Sequence, residues 1–174
     1  MTDAMTSELA ASGPRPEHKD ALALYGRLVG TWDVTNRYLV RDGSGTGSGT
    51  WRTGTVVWTF GWVLAGQAVQ DVMWFTADRP DATRSTGSTV RLYDPAADAW
   101  HVVWFSPFGT ICTLTGRPGP DGGIVQEGTG PDGRPIRWLF TELTDTRFRW
   151  LGYGSDDGGA SWRLDQEMVA SRRA

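Results

Sequence analysis

Two patterns of apolar and polar positions divide the chain. Between Pro16 and Gly30, Leu22, Leu24/Tyr25 and Leu28 recur at helical spacing, Pro16 suits a first turn, and Glu17 and Asp20 sit where a helix N-terminus favours acidic groups. One short helix ending near Gly30 is predicted. From Thr31 onward, runs of Val, Thr, Trp, Tyr and Phe are cut by clusters of Gly, Pro and Asp, which is the rhythm of an antiparallel all-β chain. Strands are predicted at Thr31–Val40, Thr53–Leu64, Gln67–Thr76, Ser88–Asp94, Ala99–Ser106, Thr110–Arg117, Gly123–Thr129, Pro135–Leu143, Arg147–Gly154 and Ser161–Ser171.

The connections between them are short. Ala65-Gly66, Asp121-Gly122-Gly123, Pro131-Asp132-Gly133 and Asp157-Gly158-Gly159 supply the turn-forming residues that tight reversals need. Tight hairpins make neighbouring strands pair and leave no room for parallel crossovers. The fold class expected is therefore all-β: a single antiparallel up-and-down barrel of about 8–10 strands with a short N-terminal helix. Residues 1–15, rich in Ala, Ser, Thr and Pro, read as a flexible tail, and residues 16–174 as the barrel domain. The Gly/Ser/Thr stretch Asp42–Thr50 reads as a loop at the barrel mouth.

Two local matches point elsewhere. Ser155-x-Asp157-x-Gly159-x-x-Trp162 fits the Asp-box of sialidase-type propellers, and Tyr93-Asp94-Pro95 with Trp100 resembles a kelch hairpin. Each occurs once, whereas a propeller repeats its blade at least about four times. A hairpin stabilised by Asp side chains and capped by a Trp is the simpler account.

Composition agrees with one folded domain. The 174 residues are 39% hydrophobic, enough for a core, and the 23 Gly are spread between apolar runs, which excludes disorder and a collagen repeat. A net charge of -3, with Lys19 the sole lysine, gives no basic footprint for nucleic acid. Cys112 is the single cysteine, so no internal disulfide demands an oxidising compartment, and no apolar run reaches membrane-spanning length. The expectation is a cytoplasmic protein without a membrane or nucleic-acid partner. Exposed edges at an imperfect barrel seam would favour a homodimer.

Leu28-Val29-Gly30-Thr31-Trp32-Asp33-Val34 resembles the Gly-x-Trp signature of calycin and lipocalin-like barrels. With Trp58–Val72 and the ending Phe148-Arg149-Trp150 … Trp162 … Glu167-Met168, the chain looks like a group of bacterial lipocalin-like proteins of unassigned function over Leu22 to Arg172. The resemblance implies the fold and assigns no catalytic residue. A related family, the nitrobindin-like haem barrels, carries glycines where Val34 and Asn36 stand and a histidine near the C-terminus that this chain lacks. Haem is not expected, nor is a metal, since His101 and Cys112 have no ligand spacing. No cofactor is called for.

The 10 Trp exceed what a core of this size needs. Each buried Trp removes on the order of 150–250 Å² from water, worth roughly 4–6 kcal/mol at ~25 cal/mol/Å². Trp58, Phe60 and Trp62 alternate along one face, as do Trp100, Val102 and Trp104, Ile136, Trp138 and Phe140, and Phe148 and Trp150. Turned inward, these rows make an aromatic-lined cavity, with Trp32 plugging its floor. The candidate ligand-binding residues are Trp58, Trp62, Trp74, Trp104, Trp138, Trp150 and Phe60, with Asn36, Glu142 and Gln166 as polar contacts.

Asp71 is the sole charge in the row Val69, Asp71, Met73, Phe75, while Gln70, Val72 and Trp74 form the opposite row. If Asp71 faces inward, it is a candidate acid or base; if outward, an ordinary surface carboxylate. His101 poses the same question on its strand. A four-residue loop at Pro95–Asp98 sets Tyr93 opposite Trp100, whereas a bulge sets it opposite His101 and gathers Asp71, Tyr93 and His101 as a catalytic cluster. Arg37, Arg137, Arg149 and Arg163 read as an exterior stripe. No triad, P-loop or dinucleotide fingerprint occurs. The first reading is a barrel that binds a small hydrophobic molecule, aromatic or polyene-like. The alternative is a cofactor-independent cyclase or isomerase of natural-product biosynthesis in the same cavity, with His101 and Asp71 as acid/base groups.

Overall fold

The computed structural model describes residues 4–41, 49–75 and 85–174. The expected mouth loop at Asp42–Thr50 lies largely outside them, as does Thr76. Ahead of the barrel come α1 (Ala4–Leu9), the two-residue β1 (Ala10–Ala11), a 3-10 turn at Pro16–His18 and α2 (Lys19–Gly26). The barrel strands follow as β2 (Gly30–Arg41), β3 (Gly49–Val63), β4 (Ala68–Phe75), β5 (Ser85–Asp94), β6 (Ala99–Phe105), β7 (Ile111–Pro118), β8 (Ile124–Thr129), β9 (Pro135–Thr141), β10 (Arg147–Gly154) and β11 (Arg163–Arg172).

Every strand from β2 to β11 pairs antiparallel with its neighbour in sequence, and β11 pairs back onto β2, from Gln166↔Tyr38 to Arg172↔Trp32. The result is a closed ten-stranded up-and-down barrel. Closure matters because an open sheet would present unpaired backbone groups at two edges. The β3–β4 pairing runs from Val56↔Phe75 to Val63↔Ala68, and the β11–β2 seam is paired over seven residues. The imperfect seam on which the homodimer expectation rested is not found among the described residues.

The segment ahead of Pro16, read from sequence as a tail, carries α1 and adds β1 to the end of β3 through Ala10↔Val63 and Ala11↔Trp62. The predicted helix forms as α2, directly after the 3-10 turn that holds Pro16, and stops at Gly26, four residues short of the expected Gly30. Its apolar side closes one end of the barrel, where Leu22, Tyr25 and Leu28 are wholly buried. Trp32 completes that floor: its indole N–H donates to the Leu28 carbonyl at 2.7 Å, and the Arg172 guanidinium lies 4.1 Å over its ring. Above them Phe60, Trp100, Phe140 and Phe148 fill the lower half of the interior.

Candidate functional site

The upper half is not filled. A cavity of about 450 Å³ opens there, and its walls come from β2–β6 and β9–β11. Trp58 from β3, Trp104 from β6, Ile136 and Trp138 from β9, and Trp150 from β10 form its aromatic and aliphatic side. Met73 and Phe75 from β4 extend this wall beside Trp58, and Met168 from β11 extends it beside Trp150. These positions follow from strand geometry: successive residues point to opposite faces, so the inward rows alternate with exposed ones, as in β2, where Trp32, Val34 and Asn36 are buried and Asp33, Thr35 and Arg37 are exposed.

Asn36 and Gln166 meet on one wall, the Gln166 amide donating to Asn36 Oδ1 at 2.8 Å. Across the cavity Asp71 is turned inward and buried. Its Oδ2 accepts from Arg91 Nη1 at 2.6 Å and its Oδ1 from the Thr89 backbone N–H at 3.1 Å. Arg91 is 1% exposed, and its guanidinium lies 5.4 Å from the ring centres of Tyr25 and Phe60. Two buried charges so placed offset each other's desolvation only because the geometry is close and hydrogen-bonded. Beneath them the Tyr25 hydroxyl accepts from Gln126 at 2.9 Å. Burial pushes the Tyr25 phenol well above its ordinary range, against the opposing pull of Arg91. Near the mouth Tyr38, Tyr153 and Asp165 line the cavity, and Asp165 is ion-paired with Arg41 at 3.0 Å and Arg163 at 2.8 Å.

Of the residues expected to line a pocket, Asn36, Trp58, Trp104, Trp138, Trp150 and Gln166 do so, and Asp71 joins them. Four do not. Phe60 packs in the filled layer below, 4.8 Å from Trp58 between ring centres. Trp62 stands at the closed end, opposite Ala11 and against Gly26. Trp74 lies on the outer face, because Asp71, Met73 and Phe75 take the inner one, and pairs with Val57. Glu142 follows the end of β9 with φ 52°, which turns it out of the strand face to pair with Arg149 at 3.4 Å and Arg147 at 3.7 Å.

The catalytic cluster does not assemble. The four-residue loop Pro95–Asp98 sets Tyr93 opposite Trp100, so the bulge needed to bring Tyr93 to His101 is missing. Tyr93 donates to Asp98 at 2.9 Å, and this bond with burial raises its phenol pKa. His101 faces outward and shares a 3.1 Å hydrogen bond with Asp94, which holds the Asp94 carboxyl below its usual value. The four arginines of the expected stripe do lie outside, each beside an acidic partner: Arg37 and Arg149 with Glu167, Arg137 with Glu127, Arg163 with Asp165. Among the described residues no group of three His, Cys, Asp or Glu is placed to hold a metal, and no helix is long and apolar enough to cross a membrane.

The most consequential residue missed in the sequence is Arg91. In β5 the apolar residues Val90 and Leu92 face outward and are only half-buried, while Gly87, Thr89, Arg91 and Tyr93 take the interior. Hydrophobic alternation alone points this strand the wrong way. The one available signal is Asp71 itself, a buried carboxylate that requires a cation on an adjoining strand.

No protein-family model matches the sequence, and no curated protein matches it. Among solved structures, the S-type phycobiliprotein lyase from Guillardia theta is similar in fold, with a TM-score of 0.60 and 12% identity, over 92% of this chain and 99% of that one. At that identity the likeness is one of architecture. It agrees with the strand order and closure described above, and the fold is that of a lipocalin-like barrel.

Proposed function

We propose that this protein binds a small hydrophobic molecule, aromatic or polyene-like, inside the barrel. The observation that carries the proposal is the unfilled upper half of the interior: about 450 Å³ walled by Trp58, Trp104, Trp138 and Trp150, with polar groups gathered at Asn36 and Gln166, at Asp71 and Arg91, and at the mouth. A volume of this order lies within the roughly 300–1,000 Å³ of sites that enclose drug-sized ligands. Flat aromatic walls favour a conjugated body, because offset and edge-on ring contacts add to simple burial. The similar fold of a phycobiliprotein lyase fits a barrel used for small-molecule work. A lone buried cysteine suits a reducing compartment such as the cytoplasm.

A second reading, cofactor-independent cyclisation or isomerisation in the same cavity, draws on Asp71 at the wall. Both of its oxygens are engaged, by Arg91 and by the Thr89 N–H, rather than aimed at a substrate, and simple binding is the better supported reading.

Tryptophan fluorescence titrated with conjugated apolar compounds, from substituted naphthalenes to retinol, tests the proposal. Saturable quenching at one molecule per chain is expected, weakened by Trp104→Ala and Trp138→Ala. A linear, non-saturating response across the panel would overturn it. Mass analysis of the recovered compound separates binding, which returns it unchanged, from isomerisation.

A further inference from the structure

The charges on the cavity wall restrict what can enter. Arg91 carries five N–H donors. Among the described residues it makes one hydrogen bond, from Nη1 to Asp71, and its buried Nε has no partner. Its guanidinium is otherwise surrounded by the rings of Tyr25, Phe60 and Phe140, none of which accepts a conventional hydrogen bond from it. A buried cation with unused donors is costly, and an acceptor oxygen brought to it recovers part of that cost.

The sign of the site decides which oxygen. Asp71 already balances Arg91, one charge against one. Among the described residues of the cavity wall the remaining charge is Asp165, an anion whose charge is already met by Arg41 and Arg163. A carboxylate brought to Arg91 would place a second negative charge beside Asp71, and among the described residues the other cations near the cavity, Arg41 and Arg163, are held at the mouth by Asp165. A carbonyl offers the same lone pairs without the charge. Asn36 and Gln166 are neutral and bonded to each other, so they do not alter this balance.

Resting on the binding reading above, we infer that the ligand of this cavity ends in a neutral hydrogen-bond acceptor, a ketone, quinone or amide carbonyl, that meets the Arg91 guanidinium, and that carboxylate ligands are discriminated against. Arg91 is thus the specificity-determining residue, and Asp71 sets the sign of its preference.

Three probes of nearly one shape isolate the head group: 2-acetylnaphthalene, 2-isopropenylnaphthalene and 2-naphthoate, titrated calorimetrically near neutral pH. The ketone is expected to bind about ten-fold or more tighter than the alkene, the scale of a hydrogen bond to a charged group, with the carboxylate weakest. Asp71→Asn leaves Arg91 uncompensated and is expected to reverse the order, making 2-naphthoate the tightest. In D71N/R91M, which removes both charges, the ketone-to-alkene ratio falls to about one. Should either variant fail to fold, the series on the unaltered protein still decides. Equal binding of ketone and alkene, or tightest binding of 2-naphthoate to the unaltered protein, overturns the inference and leaves the binding reading intact. Failure of all three to bind overturns both.

Discussion

Asp71 and Arg91 are 2% and 1% exposed and hold each other at 2.6 Å, so each supplies the only charge that makes the other tolerable in the interior. Asp71→Ala or Arg91→Ala is expected to cost about 3–5 kcal/mol in urea unfolding, because one charge is then left buried and unpaired, while D71N/R91M costs much less. His101 illustrates the opposite placement. Its imidazole is outside and bonded to Asp94, so His101→Ala is expected to leave fluorescence titrations of the cavity unchanged. Gly116 shows why some positions hold no side chain: a Cβ there would overlap the Tyr25 hydroxyl and come within 3.3 Å of the Trp100 Cβ. Gly116→Ala should destabilise by about 1–3 kcal/mol, the usual cost of overpacking, measured by the same unfolding experiment. Nothing in the sequence around Gly116 distinguishes it from a turn glycine, since the atoms that exclude a Cβ come from a helix some ninety residues earlier.

At the scale of elements, α2 is short and draws its stability from what it covers. Leu22 and Tyr25 are its fully buried residues, and Leu22→Ala is expected to cost about 2–5 kcal/mol. The β10–β11 connection is held differently. The Ser161 hydroxyl and backbone N–H and the Ser155 hydroxyl all donate to Asp157, which lowers its carboxyl from an ordinary 3.8 to about 2. A depressed carboxyl stabilises the fold above its unfolded value and loses that contribution as pH falls through the folded one. The window here lies between roughly pH 4 and pH 2. An NMR titration of the Asp157 carboxyl should give a midpoint near 2, and Ser161→Ala should move it upward. This turn was legible beforehand, because its Ser, Asp and Gly residues act on one another within seven positions. Glu142 was not, since the left-handed turn after β9 carries a Glu where turn chemistry would favour Gly.

For the whole molecule, closure of ten strands leaves a filled lower half and an open upper half. A ligand that enters the open half and does not bind the unfolded chain must stabilise the fold. At free ligand about one hundred times its Kd, the gain should be about 2.7 kcal/mol, visible as a rise in melting temperature that grows with ligand concentration. Gly152 keeps that space available, because a Cβ there would stand 2.6 Å from the Trp150 ring that forms part of the cavity wall. Gly152→Ala is expected to push Trp150 into the cavity and weaken ligand binding at least several-fold, measured by calorimetry.

The order of ten antiparallel strands, the helix before them and the four aromatic rows were readable from the chain alone, because hairpin turns and side-chain alternation are local and repeat with a fixed period. The separation of the inward Tyr93 from the outward His101 needed only the length of the Pro95–Asp98 loop, which sets Tyr93 opposite Trp100. What the tertiary structure decided is where the interior stays empty and which buried charges meet. Asp71 and Arg91 are twenty residues apart and come together through the register of β4 on β5, against the apolar pattern of β5 itself. The cavity, likewise, depends on how far each inward row extends along a closed and tilted barrel, a sum over all ten strands that no single strand contains.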